Sequence, residues 1–217
     1  MKKTILLGAA VCFIAGQTAA ADKNFYIGAK GMANFVSHNF YATIPAYDIS
    51  SEKVADADVS FGMQQGLELS LGKYLSRNWR AQVDLGALAR RDEKLVPSQG
   101  LGFFESAYYA TLNGIYGTGQ GFYIGAGAGA AYLKTGIEDY AGGSNRASGA
   151  SPMGAVMIGF ERDMSGGLTF DAGVKTFAWY GKEHRYEQLA EPPIGVEGIG
   201  TGLVWNLALT LGVRYNF

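Results

Sequence analysis

Eight charged residues stand where a two-residue period puts them on the polar face of their segments: Lys30, Glu68, Arg80, Asp84, Glu105, Asp171, Lys175 and Arg214. Four are cations and four are anions. Gln64, Tyr109, Asn113 and Asn206 share those faces. Charges withdrawn from water must be paired or hydrogen-bonded, or each costs several kcal/mol. The chemistry this set can do is therefore mutual neutralisation. Catalysis by a nucleophile needs Ser, His and usually a carboxylate within hydrogen-bond reach. The two histidines, His38 in VSHNF and His184 in KEHRY, both fall in connecting segments. Glu52, Asp56 and Asp58 cluster in one such segment and read as a charged surface loop, so no metal site is expected. Gly125, Gly127 and Ala130 fit a loose dinucleotide fingerprint but lack the strand-to-helix turn and the following acidic residue, so no cofactor is expected.

The elements that must position these charges are strands. Phe25, Ile27, Ala29, Gly31, Ala33 and Phe35 alternate with Tyr26, Gly28, Lys30, Met32 and Asn34. The same alternation runs through 61–71 and 79–90, and more loosely through 103–116, 122–133, 152–161, 168–180 and 202–217. Side chains on a strand point to opposite faces in turn, so each segment has one apolar and one polar face. These eight segments are longer than soluble strands, which average about 5–6 residues, and suit a tilted membrane-spanning strand of about 9–11. The uncharged stretch 115–133 is no membrane helix. It holds six glycines, each costing a helix about 1 kcal/mol relative to Ala, and GTGQG within it reads as a turn.

The connections alternate in length. The segment 36–58 is long and KYLSRN is short. RRDEKLVPSQGLG is of medium length and GTGQG is short. KTGIEDYAGGSNRASGAS is long, RDMSGG is short, and 181–202 is long. Such a rhythm is what an up-and-down barrel gives when one rim is decorated and the other trimmed. Both termini are expected at the trimmed, periplasmic rim. Aromatic residues fall near the segment ends on the apolar face: Phe25, Phe35, Phe61, Trp79, Phe104, Tyr116, Phe122, Tyr132, Tyr180, Trp205, Tyr215 and Phe217. Two such girdles are expected where a barrel meets two interfaces.

The N-terminus carries Lys2 and Lys3, an apolar stretch from Ile5 to Gly16, and small residues at Ala19 and Ala21. That layout predicts a secretory signal peptide over 1–21, leaving a mature domain of 22–217. The apolar stretch is too short for a membrane helix. Cys12 is the only cysteine, so the mature chain is expected to have no thiol. Losing Lys2 and Lys3 moves the formal net charge from -1 to about -3, and no basic cluster offers a nucleic-acid surface. Glycine, at 32 of 217 residues, is about twice its usual ~7 %, and Tyr and Phe are plentiful while Pro is scarce. That mixture suits many strands rather than disorder.

These residues resemble the small eight-stranded outer-membrane β-barrels of Gram-negative bacteria, the OmpA-like and opacity-protein-like families. The sharpest element is the last strand, which alternates from Leu203 and ends on Phe217. The resemblance implies an all-β fold: a transmembrane eight-stranded antiparallel up-and-down barrel behind a cleavable signal peptide. It implies that Trp205, Tyr215 and Phe217 form a signal read by the outer-membrane assembly machinery, and that the barrel sits among outer-membrane lipid and lipopolysaccharide. Some small barrels of this kind are lipid A-modifying enzymes, whose deacylase pattern sets His and Ser two apart on a strand. Here Phe40 follows His38 and Tyr186 follows His184 at that spacing, so the chain is expected not to be an enzyme. The expected role is structural or adhesive, with a host or cell-surface ligand taken by the long loops. A narrow porin-like channel is the alternative. An eight-stranded barrel is barely wide enough for its own side chains, so the eight interior charges are expected to form a salt-bridged plug.

Overall fold

The computed structural model describes residues 24–37, 40–43, 62–96, 101–138, 144–185 and 198–217. The expected signal peptide with Cys12, and also His38, Glu52, Asp56, Asp58 and Phe61, lie outside the described residues.

Alternation becomes strand throughout. The elements are β1 (Phe25–Ser37), β2 (Phe40–Thr43), β3 (Gly62–Tyr74), β4 (Trp79–Val96), β5 (Leu101–Gly117) and β6 (Phe122–Glu138). They continue with β7 (Ser144–Asp163), a single 3-10 turn at Ser165–Gly167, β8 (Leu168–Tyr180), β9 (Glu183–Arg185), β10 (Gly198–Thr201) and β11 (Leu203–Asn216). Eight of these close a barrel in the order β1-β11-β8-β7-β6-β5-β4-β3. Every neighbouring pair is antiparallel. The last strand closes against the first, with Tyr26 opposite Asn216 and Ser37 opposite Trp205. Closure leaves the barrel wall without an edge, which a spanning sheet in lipid requires.

The two faces of the wall differ as the period dictates. Leu67, Leu71, Leu112, Ile124, Ile158 and Leu211 point outward and are more than half exposed. At about 25 cal/mol per Å² of apolar surface, such a belt is costly in water and is the surface a membrane barrel turns to lipid. The short turns 75–78, 118–121 and 164–167 lie at one rim with Asn24, the first described residue, and Phe217. In GTGQG, Gly121 takes φ +91, a conformation other residues rarely adopt.

Glycine has a second use inside. Three inward tyrosines each cover the glycine directly across the ladder: Tyr26 over Gly72, Tyr109 over Gly86 and Tyr123 over Gly159. A Cβ on Gly86 would come within 2.0 Å of the Tyr109 ring. Such aromatic–glycine pairs let bulky rings cross a narrow lumen and pin the register of three strand pairs.

The structure corrects three expectations. The ladder outlasts the predicted segments: β4 to β7 run to Val96, back to Leu101, on to Glu138 and back to Ser144. Above the apolar belt the outward face is polar too, so the hydrophobic contrast fades while the pairing continues. Arg90, which unbroken alternation through 79–90 would turn to the inner face, points out. A β-bulge between Leu88 and Arg91 inserts one residue, leaving Arg90 exposed and Arg91 buried opposite Glu105. Lastly, a three-stranded sheet, β2-β10-β9, stands beyond the barrel where only loops were expected.

Candidate functional site: the barrel interior and its long-loop rim

All eight charges read from the period are buried inside the barrel. Seven of them gather in the half nearer the short turns. The pivot is Lys175, whose Nζ reaches Glu68 Oε2 at 2.5 Å and Asp84 Oδ2 at 2.8 Å. Donors complete both carboxylates. Tyr109 Oη donates to Glu68 at 2.6 Å. Asp84 accepts from Ser70 Oγ at 2.7 Å, Gln82 Nε2 at 2.6 Å and Asn113 Nδ2 at 2.9 Å. Lys30 pairs with Asp171 at 3.0 Å, and Tyr123 Oη donates to the same carboxylate at 2.9 Å.

Nearest the short-turn rim, Arg80 and Arg214 both bind Glu161 Oε2, at 2.7 and 2.6 Å. The Arg80 guanidinium lies between the Tyr26 and Tyr123 rings, 5.6 and 5.1 Å from their centroids. A planar guanidinium suits such stacking, and the rings replace part of its lost hydration. Glu161, like Arg91, is an interior charge that sequence reasoning missed. The signal was available, because Val156, Ile158 and Phe160 point outward and Glu161 continues the opposite phase. With it, this storey holds Lys30, Arg80, Lys175 and Arg214 against Glu68, Asp84, Glu161 and Asp171. Glu105, the eighth predicted charge, is not part of that storey. It lies higher on β5, opposite Arg91.

The other half of the lumen holds a large apolar cluster, with Glu105, Arg91 and several amides buried around it, which the sequence reading did not anticipate. Met32, Val36, Leu88, Ala107, Leu133, Met153, Phe177, Trp179 and Val204 are buried there in one cluster. Phe177 stacks on Trp179 with centroids 5.5 Å apart and meets Tyr109 at the same distance. Tyr109 thus joins the two storeys, its ring in the apolar one and its hydroxyl on Glu68. A third set, the amides of Asn206, Asn34 and Gln64, is linked by hydrogen bonds of 2.9 and 3.1 Å. A cavity of about 960 Å³ opens at the short-turn rim and ends on Arg80, Glu161 and Arg214.

The three residues expected to carry the assembly signal lie on β11. Trp205 is half exposed near the long-loop rim. Tyr215 and Phe217 are at the other end, where Phe217 exchanges backbone bonds with Phe25 at 3.2 and 2.9 Å. Their rings stack at 6.5 Å, and Phe217 meets Phe25 at 6.4 Å. The rest of the girdle divides as follows. Phe25, Trp79, Tyr116 and Phe122 are exposed at the short-turn rim, and Tyr132, Tyr180 and Trp205 at the other. Phe104 points outward but is covered, with the Arg90 guanidinium 4.1 Å above its ring.

Beyond the barrel, β10 pairs with β2 and with β9, Thr201 lying opposite Phe40 and Ile199 opposite His184. The two longest connections, between β1 and β3 and between β8 and β11, are therefore joined by backbone hydrogen bonds into one small sheet. Among the described residues no group of three or more His, Cys, Asp or Glu could hold a metal ion.

No known protein family and no curated protein sequence matches the chain. Solved structures do. Ail, the attachment invasion locus protein of Yersinia pestis, is similar at a TM-score of 0.50 and 13% identity in its complex with the heparin analogue sucrose octasulfate, the alignment covering 89% of this chain and 98% of that one. The outer membrane protein OprG of Pseudomonas aeruginosa is similar at 0.50 and 16% identity over 89% of this chain and 96% of its own. A major outer membrane protein of Thermus thermophilus gives 0.50 and 12% identity over 89% and 99%. At these identities the likeness is one of fold: the chain folds as the small bacterial outer-membrane β-barrels do.

Proposed function

We propose that the chain is an integral outer-membrane barrel whose barrel is a closed scaffold and whose work is recognition at the long-loop rim. The observation that carries this reading is the filling of the lumen. The charged storey and the Phe177–Trp179 storey follow one another along the axis, and each spans an eight-stranded barrel that has little width to spare. The sheet β2-β10-β9 supports the second half of the reading. It ties the two longest connections to each other over a rigid wall, and loops held on a rigid scaffold commonly carry binding. The reading assigns the barrel no catalytic step.

The charge of those loops points to the ligand class. Segments 36–58 and 181–202 hold eight acidic and three basic residues. A polyanion such as the heparin analogue bound to Ail has the wrong charge for them. A basic protein surface, or a partner bridged by divalent cations, has the right one. The test is to shorten 44–58 and 186–197 separately and together. Each variant is then scored for the heat-dependent gel shift of a folded barrel and for binding to cells bearing the partner. Either deletion should abolish binding while the gel shift persists. Full binding by the double deletion would refute a loop-borne role.

The alternative of a narrow channel draws support from the 960 Å³ cavity at the short-turn rim. Conduction would require the Arg80–Glu161–Arg214 floor and the storey behind it to rearrange.

A further inference from the structure

The cations at the long-loop rim are unevenly placed. On the outward face of β6 and β7, Lys134 and Arg146 are exposed, as their inward neighbours Leu133, Thr135 and Asn145 are buried. Lys134 lies opposite Ser148, and Arg146 opposite Gly136 one outward position further up, so the two are diagonal neighbours on adjacent strands. Among the described residues neither has a carboxylate partner. Lys134 Nζ stands 5.4 Å from the Tyr108 ring centroid and the Arg146 guanidinium 5.7 Å from that of Phe104. Arg90, beside them, is already neutralised by Asp92 at 2.6 Å and Glu138 at 3.3 Å. Across the barrel, the outward residues at the same rim are Tyr180, Trp205, Leu207 and Met63.

Height fixes what such cations would meet. Tyr108 and Tyr132 face each other across β5 and β6 and form the upper girdle on this side. Phe122, in the lower girdle, precedes Tyr132 by ten residues on β6, about 33 Å of strand, or about 25 Å of height at a tilt near 40°. That equals the apolar band of an outer-membrane barrel. Lys134 then stands about 5 Å above the band and Arg146 about 10 Å, where lipid headgroups begin. Below them the wall is low over β6 and β7, with Ala130 and Pro152 in one row beside Ala110, and Ala128 and Gly154 in the next beside Leu112, so chains hanging from a bound headgroup would lie close to those two strands.

We propose that the outward face of β6 and β7 above the Tyr108–Tyr132 girdle binds the phosphates of a phosphorylated, multiply acylated outer-leaflet lipid of the lipid A class, through Lys134 and Arg146. This site is separate from the loop-borne recognition and rests only on the barrel's insertion in a membrane. A phosphate brings the charge both side chains lack, and a cation–π contact leaves their N–H donors free to turn toward it.

The test titrates three lipids into the refolded mature chain in zwitterionic detergent, read by native mass spectrometry. They are bisphosphorylated hexa-acyl lipid A, its dephosphorylated form and phosphatidylglycerol. The wild type should bind the phosphorylated lipid A most tightly. Lys134→Ala/Arg146→Ala should weaken that binding about tenfold to hundredfold, as loss of charge-assisted hydrogen bonds does, and leave the dephosphorylated form unchanged. Lys134→Arg/Arg146→Lys should keep it, and so should Lys73→Ala, which removes a cation from the short-turn rim. Unchanged affinity in the double alanine variant would overturn the proposal, as would an equal loss in Lys73→Ala or phosphatidylglycerol binding as tightly as lipid A. The heat-dependent gel shift of every variant separates a barrel that fails to fold or insert from one that folds and does not bind.

Discussion

Lys175 neutralises two carboxylates at once, and its position makes a sharp prediction. Lys175→Met leaves Glu68 and Asp84 buried and facing each other, and should lower stability by about 3–5 kcal/mol, measured by denaturant unfolding in lipid vesicles. The triple variant with Glu68→Gln and Asp84→Asn should regain most of that loss, because it removes the buried charge rather than stranding it. Glu161→Gln is the mirror case, leaving Arg80 and Arg214 without their shared acceptor. It too should destabilise the barrel by several kcal/mol. The predicted interior charges were legible because each lies in a segment with clean alternation. Glu161 was missed although its phase could be read, because it opens the charged run Glu161-Arg162-Asp163, where the contrast between faces fades. Arg91 was hidden for another reason. A bulge moves every residue beyond it to the opposite face, and nothing in ALARRDEK marks which arginine turns inward.

At the scale of the element, the strand is the unit the sequence declares best, and its ends are what it declares worst. The lipid belt enforces alternation over about 25 Å, and beyond that height the outward face meets water and takes polar residues, while the buried inward face mixes polar and apolar ones. Thr135 and Ile137 still point in and Lys134 and Gly136 out, but polarity no longer reports it. Within the belt, registration depends on the tyrosine–glycine pairs. Gly86→Leu should expel Tyr109 from the lumen, break its 2.6 Å bond to Glu68 and lower stability by roughly 2–4 kcal/mol in the same vesicle assay, a cost typical of overpacking together with a lost hydrogen bond. The last strand carries a different kind of prediction. Phe217→Ala keeps the backbone bonds that close β11 on β1, so refolding in vitro should match wild type. If Trp205, Tyr215 and Phe217 are read by the assembly machinery, the amount of barrel inserted in living cells should fall. Equal insertion would show that the strand end serves closure alone.

For the whole molecule, the sequence conveyed a barrel with a charged interior but not that most of its charge gathers in one storey, with Glu105 and Arg91 buried apart from it. Met32, Val36, Leu88 and Val204 lie on the phase that elsewhere carries Lys30, Glu68, Asp84 and Arg214, so a rule of polar inside and apolar outside assigns them no role. Their packing around Phe177 and Trp179 makes the upper half of this membrane barrel resemble the core of a water-soluble one. The small sheet joining the long connections was equally unread, since FYAT, EHR and GIGT are too short for periodicity to show. On the proposed reading the two storeys seal the lumen and leave the rims to act. Planar-bilayer conductance of the refolded mature chain, with insertion established first by the heat-dependent gel shift, tests that claim most directly. The account predicts an inserted barrel that is silent. Steady openings that change with Lys175→Ala or Glu68→Ala would contradict it and make the barrel a channel.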